Sequence, residues 1–130
     1  MLITILLAFV ALGATEAQAI VIINSRPVGI TLGQTARVTA ANTGARAITI
    51  TGVTFLDSDG NVLAQFDGGI IDPGVMIAFD LNGDDVVRES GRLEIRIVLS
   101  ADTSKGLVRS TEVFENDTGK TTVFLGGPDT

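Results

Sequence analysis

Four residue types are absent from this chain: it has no cysteine, no histidine, no tryptophan and no tyrosine. Without histidine or cysteine, neither a Ser-His-Asp triad nor a Cys-His pair can be assembled. Zinc, copper and haem lose their usual ligands. A sugar-binding platform of tryptophan or tyrosine is excluded as well. The sequence therefore predicts no catalytic residues and no cofactor.

Positive charge is scarce and unevenly placed. Between Arg46 and Arg88 there is no lysine or arginine. Seven aspartates fall in that interval: Asp57, Asp59, Asp67, Asp72, Asp80, Asp84 and Asp85. The net charge of -6 argues against nucleic acid and anionic membrane surfaces as partners, because both are bound by lysine and arginine.

The N-terminus is apolar, with an uncharged run from Leu2 to Ala14 followed by small residues at Ala17 and Ala19. This pattern is typical of a signal peptide over residues 1–19, cleaved before Ile20, although no basic residue precedes the run. A membrane anchor or a filament-core helix would retain the segment, but the clean run is shorter than the roughly 20 residues that a bilayer span needs. The chain is therefore expected to be exported, to the periplasm or the medium.

After cleavage about 110 residues remain, which is the size of one domain. We expect that domain over residues 20–125, with a flexible tail over 126–130. The composition is 45% hydrophobic, so the chain can bury a sizeable core. Because an exported chain without cysteine is stabilised by its core alone, a bacterial or archaeal source is favoured.

Apolar residues alternate with polar ones at a period of two, which predicts strands with one buried face. One run places Val75, Ile77, Phe79 and Leu81 inward; another places Leu93, Ile95, Ile97 and Leu99 inward. The phase changes between Ile50 and Val53, so a β-bulge is predicted at Thr51-Gly52.

Further segments rich in valine, isoleucine, threonine and phenylalanine are also predicted strands. They are Ile20 to Asn24, Gln34 to Ala41, Val62 to Phe66, Leu107 to Glu115 and Thr121 to Leu125. Turns are predicted at Asn42 to Gly44, Asp57 to Asn61, Asp72 to Gly74 and Asn116 to Gly119. Seven or eight short strands with this spacing predict an all-β, antiparallel, immunoglobulin-like β-sandwich.

The succession of strands and turns resembles bacterial immunoglobulin-like or fibronectin type III-like modules. The blocks 32–37, 55–62 and 112–123 also resemble a group of small, uncharacterised exported bacterial proteins. The resemblance covers most of the chain after residue 19 and implies a β-sandwich fold, but it implies no activity. The core tryptophan and the cysteine pair of antibody-type domains are absent.

One segment has the opening pattern of a calcium loop. Asp80, Asn82 and Asp84 supply oxygens at positions one, three and five. The pattern then departs, since Asp85 and Gly91 stand where glycine and an acidic residue are wanted. The shorter segment Asp57 to Asn61 is a second candidate, and a tight hairpin explains it fully.

Three functional hypotheses remain after these exclusions, and an enzyme is the least favoured of them. The first is a non-catalytic exported β-sandwich that binds a protein partner or serves as a surface accessory module. The alternative is a structural subunit of an extracellular filament, in which the apolar strand Ile20 to Ile23 adds to a neighbour's sheet. An enzyme is disfavoured by the residues that are missing. No contact with membrane is expected once the signal peptide is removed.

Overall fold

The computed structural model describes residues 19–88 and 91–126. Of the predicted signal peptide, only Ala19 is among them, and of the predicted tail only Gly126 is. The described residues form ten strands and one short helix. They are β1 (Val21–Asn24), β2 (Val28–Thr31), β3 (Gln34–Asn42), β4 (Ile48–Asp57), β5 (Val62–Phe66), β6 (Gly69–Ile71), β7 (Met76–Asn82), α1 (Gly83–Val86), β8 (Arg92–Ala101), β9 (Leu107–Glu115) and β10 (Thr121–Leu125).

The strands form two antiparallel sheets, one of six strands and one of four. In the six-stranded sheet β8 and β4 are central. β1 and β2 lie end to end along the free side of β8, while β5 and β6 lie end to end along the free side of β4. The four-stranded sheet has the order β10-β9-β3-β7. Eight strand positions result, which confirms the predicted sandwich and is consistent with an immunoglobulin-like fold.

The core lies between the two sheets and is built from the inward residues of every long strand. The largest fully buried side chains include Phe55, Ile30, Ile48 and Leu99. On the side where β7 faces β5, Phe66 packs against the rings of both Phe55 and Phe79, at centroid distances of 6.0 and 5.6 Å. The predicted alternation in β7 and β8 is confirmed, except that Val75 precedes β7 and is 48% exposed.

The predicted bulge in β4 is confirmed. The register with β8 shifts between Ile50 and Gly52, so that Ile50 and Val53 both point inward although they are three residues apart. Beside the shift, the edge breaks between β5 and β6. Gly68 lies in this break with φ +92°, and a Cβ there would stand 2.2 Å from the carbonyl oxygen of Ile50. The chain therefore turns at a point where only glycine fits.

A buried asparagine connects the two sheets at one end of the sandwich. Asn42 ends β3 and is 1% exposed. Its Nδ2 donates to the carbonyl oxygens of Arg46, at 2.6 Å, and Ile71, at 2.9 Å, and its Oδ1 accepts the N–H of Gly44 at 2.9 Å. Ile71 belongs to the six-stranded sheet, so this side chain satisfies backbone groups on both layers.

Candidate binding surface

The three residues proposed as calcium ligands lie at the end of β7 and in α1, and each already has a protein partner. Asp80 faces outward on β7. Its two carboxylate oxygens accept from Nε and Nη2 of Arg37 at 2.7 and 2.9 Å, across the β3–β7 pair. Both side chains are more than a third exposed, so this ion pair contributes at most about 1 kcal/mol.

Asn82 and Asp84 belong to a polar network that closes this end of the sandwich. Asn82 is the N-cap of α1, and its Oδ1 accepts from the N–H of Asp84 at 2.9 Å and from Nδ2 of Asn116 at 3.0 Å. Asp84 Oδ1 accepts the N–H of Gly33 at 2.7 Å. Asn116 also accepts from Thr35, and its own N–H donates to the carbonyl of Gly33 at 2.8 Å. The network joins α1 to the β2–β3 and β9–β10 turns.

These contacts give the acidic segment a structural role in the folded chain. Within residues 19–88 and 91–126, no three acidic, histidine or cysteine side chains are grouped as a metal ion would require. Calcium binding by Asp80, Asn82 and Asp84 stays a prediction. If these residues bind Ca²⁺, the melting temperature should rise when Ca²⁺ is added and should return to its original value when a chelator is added.

The second candidate segment is confirmed as a tight hairpin between β4 and β5. Asp57 Oδ1 accepts from the N–H groups of Asp59 and Asn61 at 2.9 and 2.8 Å, and Gly60 has φ +85°. These bonds, led by the one from the N–H of Asn61, hold the pKa of Asp57 below its ordinary value of 3.8. The carboxylate therefore stabilises the turn as the acceptor of an Asx-turn.

Because the pKa of Asp57 is lowered by folding, its stabilising effect is complete above the ordinary value of 3.8 and is lost as the pH falls through the lower folded value. We expect Asp57→Asn to flatten this part of the acid limb. The measurement is the free energy of unfolding in urea between about pH 6 and pH 2. Asp59→Asn is the control, since that carboxylate makes no hydrogen bond to the described residues. Identical acid limbs in wild type and Asp57→Asn would contradict the assignment.

The outer face of the four-stranded sheet has an apolar half. Register places Met76, Ala41 and Val108 in one row across β7, β3 and β9, and Ala78, Thr39 and Ser110 in the next. Met76 is 68% exposed and Val108 is 41% exposed. We call Ala41, Met76, Ala78 and Val108 the β7 surface. An outward sheet face is normally polar, so exposed apolar side chains in adjoining rows indicate a contact surface.

The next row of outward residues along these strands is charged, and it limits the apolar area. Arg37 stands between Asp80 and Glu112 on the neighbouring strands, and its guanidinium lies 5.0 Å from the ring centroid of Phe114. The hydrogen bond that Arg37 donates to Asp80, together with the negative charges of Asp80 and Glu112, raises the pKa of Arg37 above its ordinary value. This row therefore places one positive charge, on Arg37, and two negative charges, on Asp80 and Glu112, beside the β7 surface.

Among the sheet edges of the described chain, β7 is the longest unbroken one. Its seven residues pair with β3 without a register shift. The other edges are interrupted: β1 is separated from β2, β5 from β6, and β10 contains a register shift between Thr121 and Val123. The one charge within β7, Asp80, is already bound to Arg37. β7 thus lacks the charges and bulges by which proteins usually prevent strand addition.

The described residues also line openings elsewhere on the sandwich. A cavity of about 630 Å³ at the end near Asn42 is lined by the β3–β4 and β8–β9 loops, including Arg46, Asp102 and Lys105. A cleft of about 390 Å³ separates β2 from β10. All three charged residues of the larger opening are exposed, and Asp102 accepts the N–H of Thr49 at 3.0 Å, which gives it a structural role.

The sequence placed Met76 and Ala78 on the outward face correctly but did not single them out. Ala41 and Val108, on the other strands of this surface, are 30 or more residues away along the chain, so only the register brings the four together. No family model, no curated protein and no solved structure matches the chain. Within the described residues, no helix has the length and apolar character needed to cross a membrane.

Proposed function

We propose that this chain is an exported, non-catalytic β-sandwich protein that binds a protein partner and serves as a surface accessory module. The observation that carries the proposal is the β7 surface, where an unbroken edge strand adjoins exposed apolar side chains of the same sheet. Such a combination suits the addition of a partner strand, because the edge offers unpaired backbone groups and the face offers alternate side chains.

In this mode of binding, the backbone of β7 supplies hydrogen bonds and the outward residues supply specificity. Met76 is flexible and polarisable, which adapts it to partner side chains of different shape. Ala78 leaves room for a large side chain beside it. The charged row of Arg37, Asp80 and Glu112 then favours one orientation of the partner strand over the other.

The residue inventory supports a non-catalytic role. The chain has no histidine or cysteine, so acid–base and nucleophilic chemistry would depend on carboxylates. Asp57 and Arg37 both have pKa values displaced toward the charged form, and both charges serve hydrogen bonds of the fold. A general acid working near neutral pH would need the opposite displacement for a carboxylate.

Export is part of the proposal and rests on the sequence of residues 1–19. The apolar run, the small residues Ala17 and Ala19, and the resemblance to bacterial immunoglobulin-like modules and small exported proteins all support it. The direct test is the intact mass of the protein recovered from the periplasm or the medium. A mass that corresponds to a chain beginning at Ile20 supports export. An uncleaved chain in the cytoplasm contradicts it.

The binding surface is tested by a photo-crosslinking amino acid placed at Met76 in cells of the source organism. We expect a discrete adduct from Met76 because this side chain lies at the centre of the proposed contact. The same probe at Thr54, an outward position on the central strand β4, is the matched control. Adding Ala78→Lys to the Met76 probe should remove the adduct, since a lysine on an edge strand opposes pairing. Equal adducts at both positions, or none at Met76, would refute the proposed surface.

A second candidate is a filament subunit that exchanges β1 with its neighbour. It is favoured by the shortness of β1, which has four residues, by the exposure of its Ile22 (59%) and by Pro27 after it. β2 is anchored separately, since Val28 and Ile30 are buried. Deleting Ile20 to Asn24 should leave a soluble monomer if β1 is a donor strand, and an unstable one if β1 is needed within its own domain.

A further inference from the structure

The two lateral sides of the sandwich differ in charge. On the side formed by β7 and the β5–β6 edge, the strands, turns and α1 come from the interval that contains no lysine or arginine. We call it the acidic side. Its carboxylates are those of Asp57, Asp59, Asp67, Asp72, Asp80, Asp84 and Asp85. Since Arg37 offsets only Asp80, a clear excess of negative charge remains there.

The opposite side, formed by β10 and the β1–β2 edge, gathers arginines. Arg92 extends over β2, since a Cβ on Gly29 would lie 2.3 Å from its Nη2. Arg96 and Arg109 both reach Asn24 of β1, the first donating to its side-chain oxygen and the second to its carbonyl, each at 3.0 Å. We call this the arginine side; it comprises Arg26, Arg92, Arg96 and Arg109. Carboxylates are present on this side as well: Glu94 is bound to Arg92, and Glu112 accepts a hydrogen bond from Thr121 of β10. The β9–β10 turn adds Asp117 and Lys120, so the excess of positive charge is smaller than the excess of negative charge on the acidic side.

The strand directions make these two sides compatible. Each sheet has four strand positions and is antiparallel throughout, so its two edges run in opposite directions. If a second copy is placed beside the first in the same orientation, β10 of the second copy therefore runs antiparallel to β7 of the first. The β1–β2 edge would meet the neighbour's β5–β6 edge in the same antiparallel sense. The β7–β10 pair is the contact that would continue a sheet from one copy to the next, since the β1–β2 and β5–β6 edges are each interrupted.

The facing side chains also match across β7 and β10. β10 contains no charged residue, so nothing in it opposes Asp80 with a like charge. Phe124 pairs with Glu112 on β9, which puts it on the outer face, where it is 63% exposed. Phe124, Glu112, Arg37 and Asp80 lie in one row, so a copy that is also shifted by two residues along the strands would bring this ring beside Ala78, with Met76 diagonally next to it, and exposed apolar groups would cover each other.

We propose that copies of this chain associate head to tail, with β7 of one copy pairing antiparallel with β10 of the next and the acidic side meeting the arginine side. The proposal rests on the proposed function, because it uses the same strand addition at β7 and names a second copy as the partner. The contact joins two different patches, so it can repeat from copy to copy, and it builds an open-ended, twisted chain of subunits where the rotation between copies does not close a ring. Unlike strand exchange, it leaves β1 in its own domain.

The proposal is tested with two variants, in each of which a charge is introduced on one of the two edge strands that would pair. Ala78→Lys places a positive charge on β7 toward the arginine side of the next copy, and Phe124→Glu places a negative charge on β10 toward the acidic side. Both positions are exposed, so folding should be unaffected, and Met76→Lys replaces Ala78→Lys if needed. Sedimentation velocity should show concentration-dependent growth for wild type, monomers for each variant alone, and renewed association when the two are mixed, because the two intact edges can pair and the introduced lysine and glutamate attract each other.

The return of association on mixing is the decisive result, because each variant keeps the edge that the other has lost. The control is Thr54→Lys, which adds the same charge on the outer face of β4 and should assemble like wild type. Self-association of Phe124→Glu alone would indicate a symmetric β7 pairing and overturn the proposal. Assembly that is lost on deleting Ile20 to Asn24 but survives Ala78→Lys would indicate exchange of β1 instead.

Failure of this proposal is distinguishable from failure of the proposed function. A wild-type chain that stays monomeric at every concentration, while Met76 still crosslinks to a different protein, overturns self-assembly and leaves the binding role intact. A monomer without any Met76 adduct overturns both. An adduct between two copies, joining Met76 to a β10 residue in its mass-spectrometric fragments, supports both.

Discussion

Replacing Gly68 by alanine is expected to lower the free energy of unfolding by about 3 kcal/mol or more. Two effects add at this position. The backbone has φ +92°, a conformation that costs an L-residue about 1–2 kcal/mol. The new Cβ would also stand 2.2 Å from the carbonyl oxygen of Ile50, which is backbone of a central strand and cannot move away without displacing the β4 bulge.

Gly60→Ala separates the two effects. Gly60 has φ +85°, almost the same conformation, but a Cβ there would have no neighbour within 4 Å. We expect this variant to lose only the conformational part, about 1 kcal/mol. Both free energies can be measured by urea unfolding followed by circular dichroism. If the two substitutions were equally mild, the close packing of Gly68 on β4 would be wrong.

Asn42→Ala should be nearly as damaging, with an expected loss of about 3 kcal/mol. The substitution leaves the carbonyl groups of Arg46 and Ile71 and the N–H of Gly44 without the partner that Asn42 provides. Because Asn42 is 1% exposed and its hydrogen bond to Ile71 is buried, water can replace the side chain at the carbonyl of Ile71 only if the end of the sandwich opens. The contact between β3 and β6 across the two sheets would weaken first.

The companion variant Asn42→Asp tests the direction of the hydrogen bonds. An ionised carboxylate could still accept from Gly44, but it would repel the two carbonyl oxygens that now receive hydrogen bonds. We therefore expect a loss that shrinks as the pH is lowered and the carboxyl becomes protonated. Asn24→Ala is the control, since that side chain is exposed and bonds to Arg96. A small, pH-independent loss in Asn42→Asp would contradict the role assigned to Asn42.

The long strands could be predicted because their burial follows chemical type at a period of two. β5, β9 and β10 begin and end where the sequence indicated, and the phase change near Thr51 located the bulge. β2 and β6 were not predicted. They have four and three residues, contain glycine and continue an edge begun by another strand, so neither carries enough alternation to be recognised.

The candidate site was predicted less well, for a physical reason. A pattern of oxygens along the chain does not reveal whether backbone or side-chain donors will reach them first. Asn116, which binds Thr35 and Asn82, lies 81 and 34 residues from them in sequence. The β7 surface likewise depends on register between strands. What the sequence did contain was the charge asymmetry, although only the sheet order shows that it divides the molecule laterally.

The polar network around Gly33 also determines where foreign peptides can be grafted into this scaffold. The two-residue turn Leu32-Gly33 holds α1 through Asp84 and the β9–β10 hairpin through Asn116. Lengthening that turn would release three segments at once. The side-chain hydrogen bonds of the Asp57–Asn61 hairpin, by contrast, stay within the hairpin and hold no other element in place. An epitope or affinity tag belongs at Ser58 to Gly60, where it would leave both lateral edges accessible.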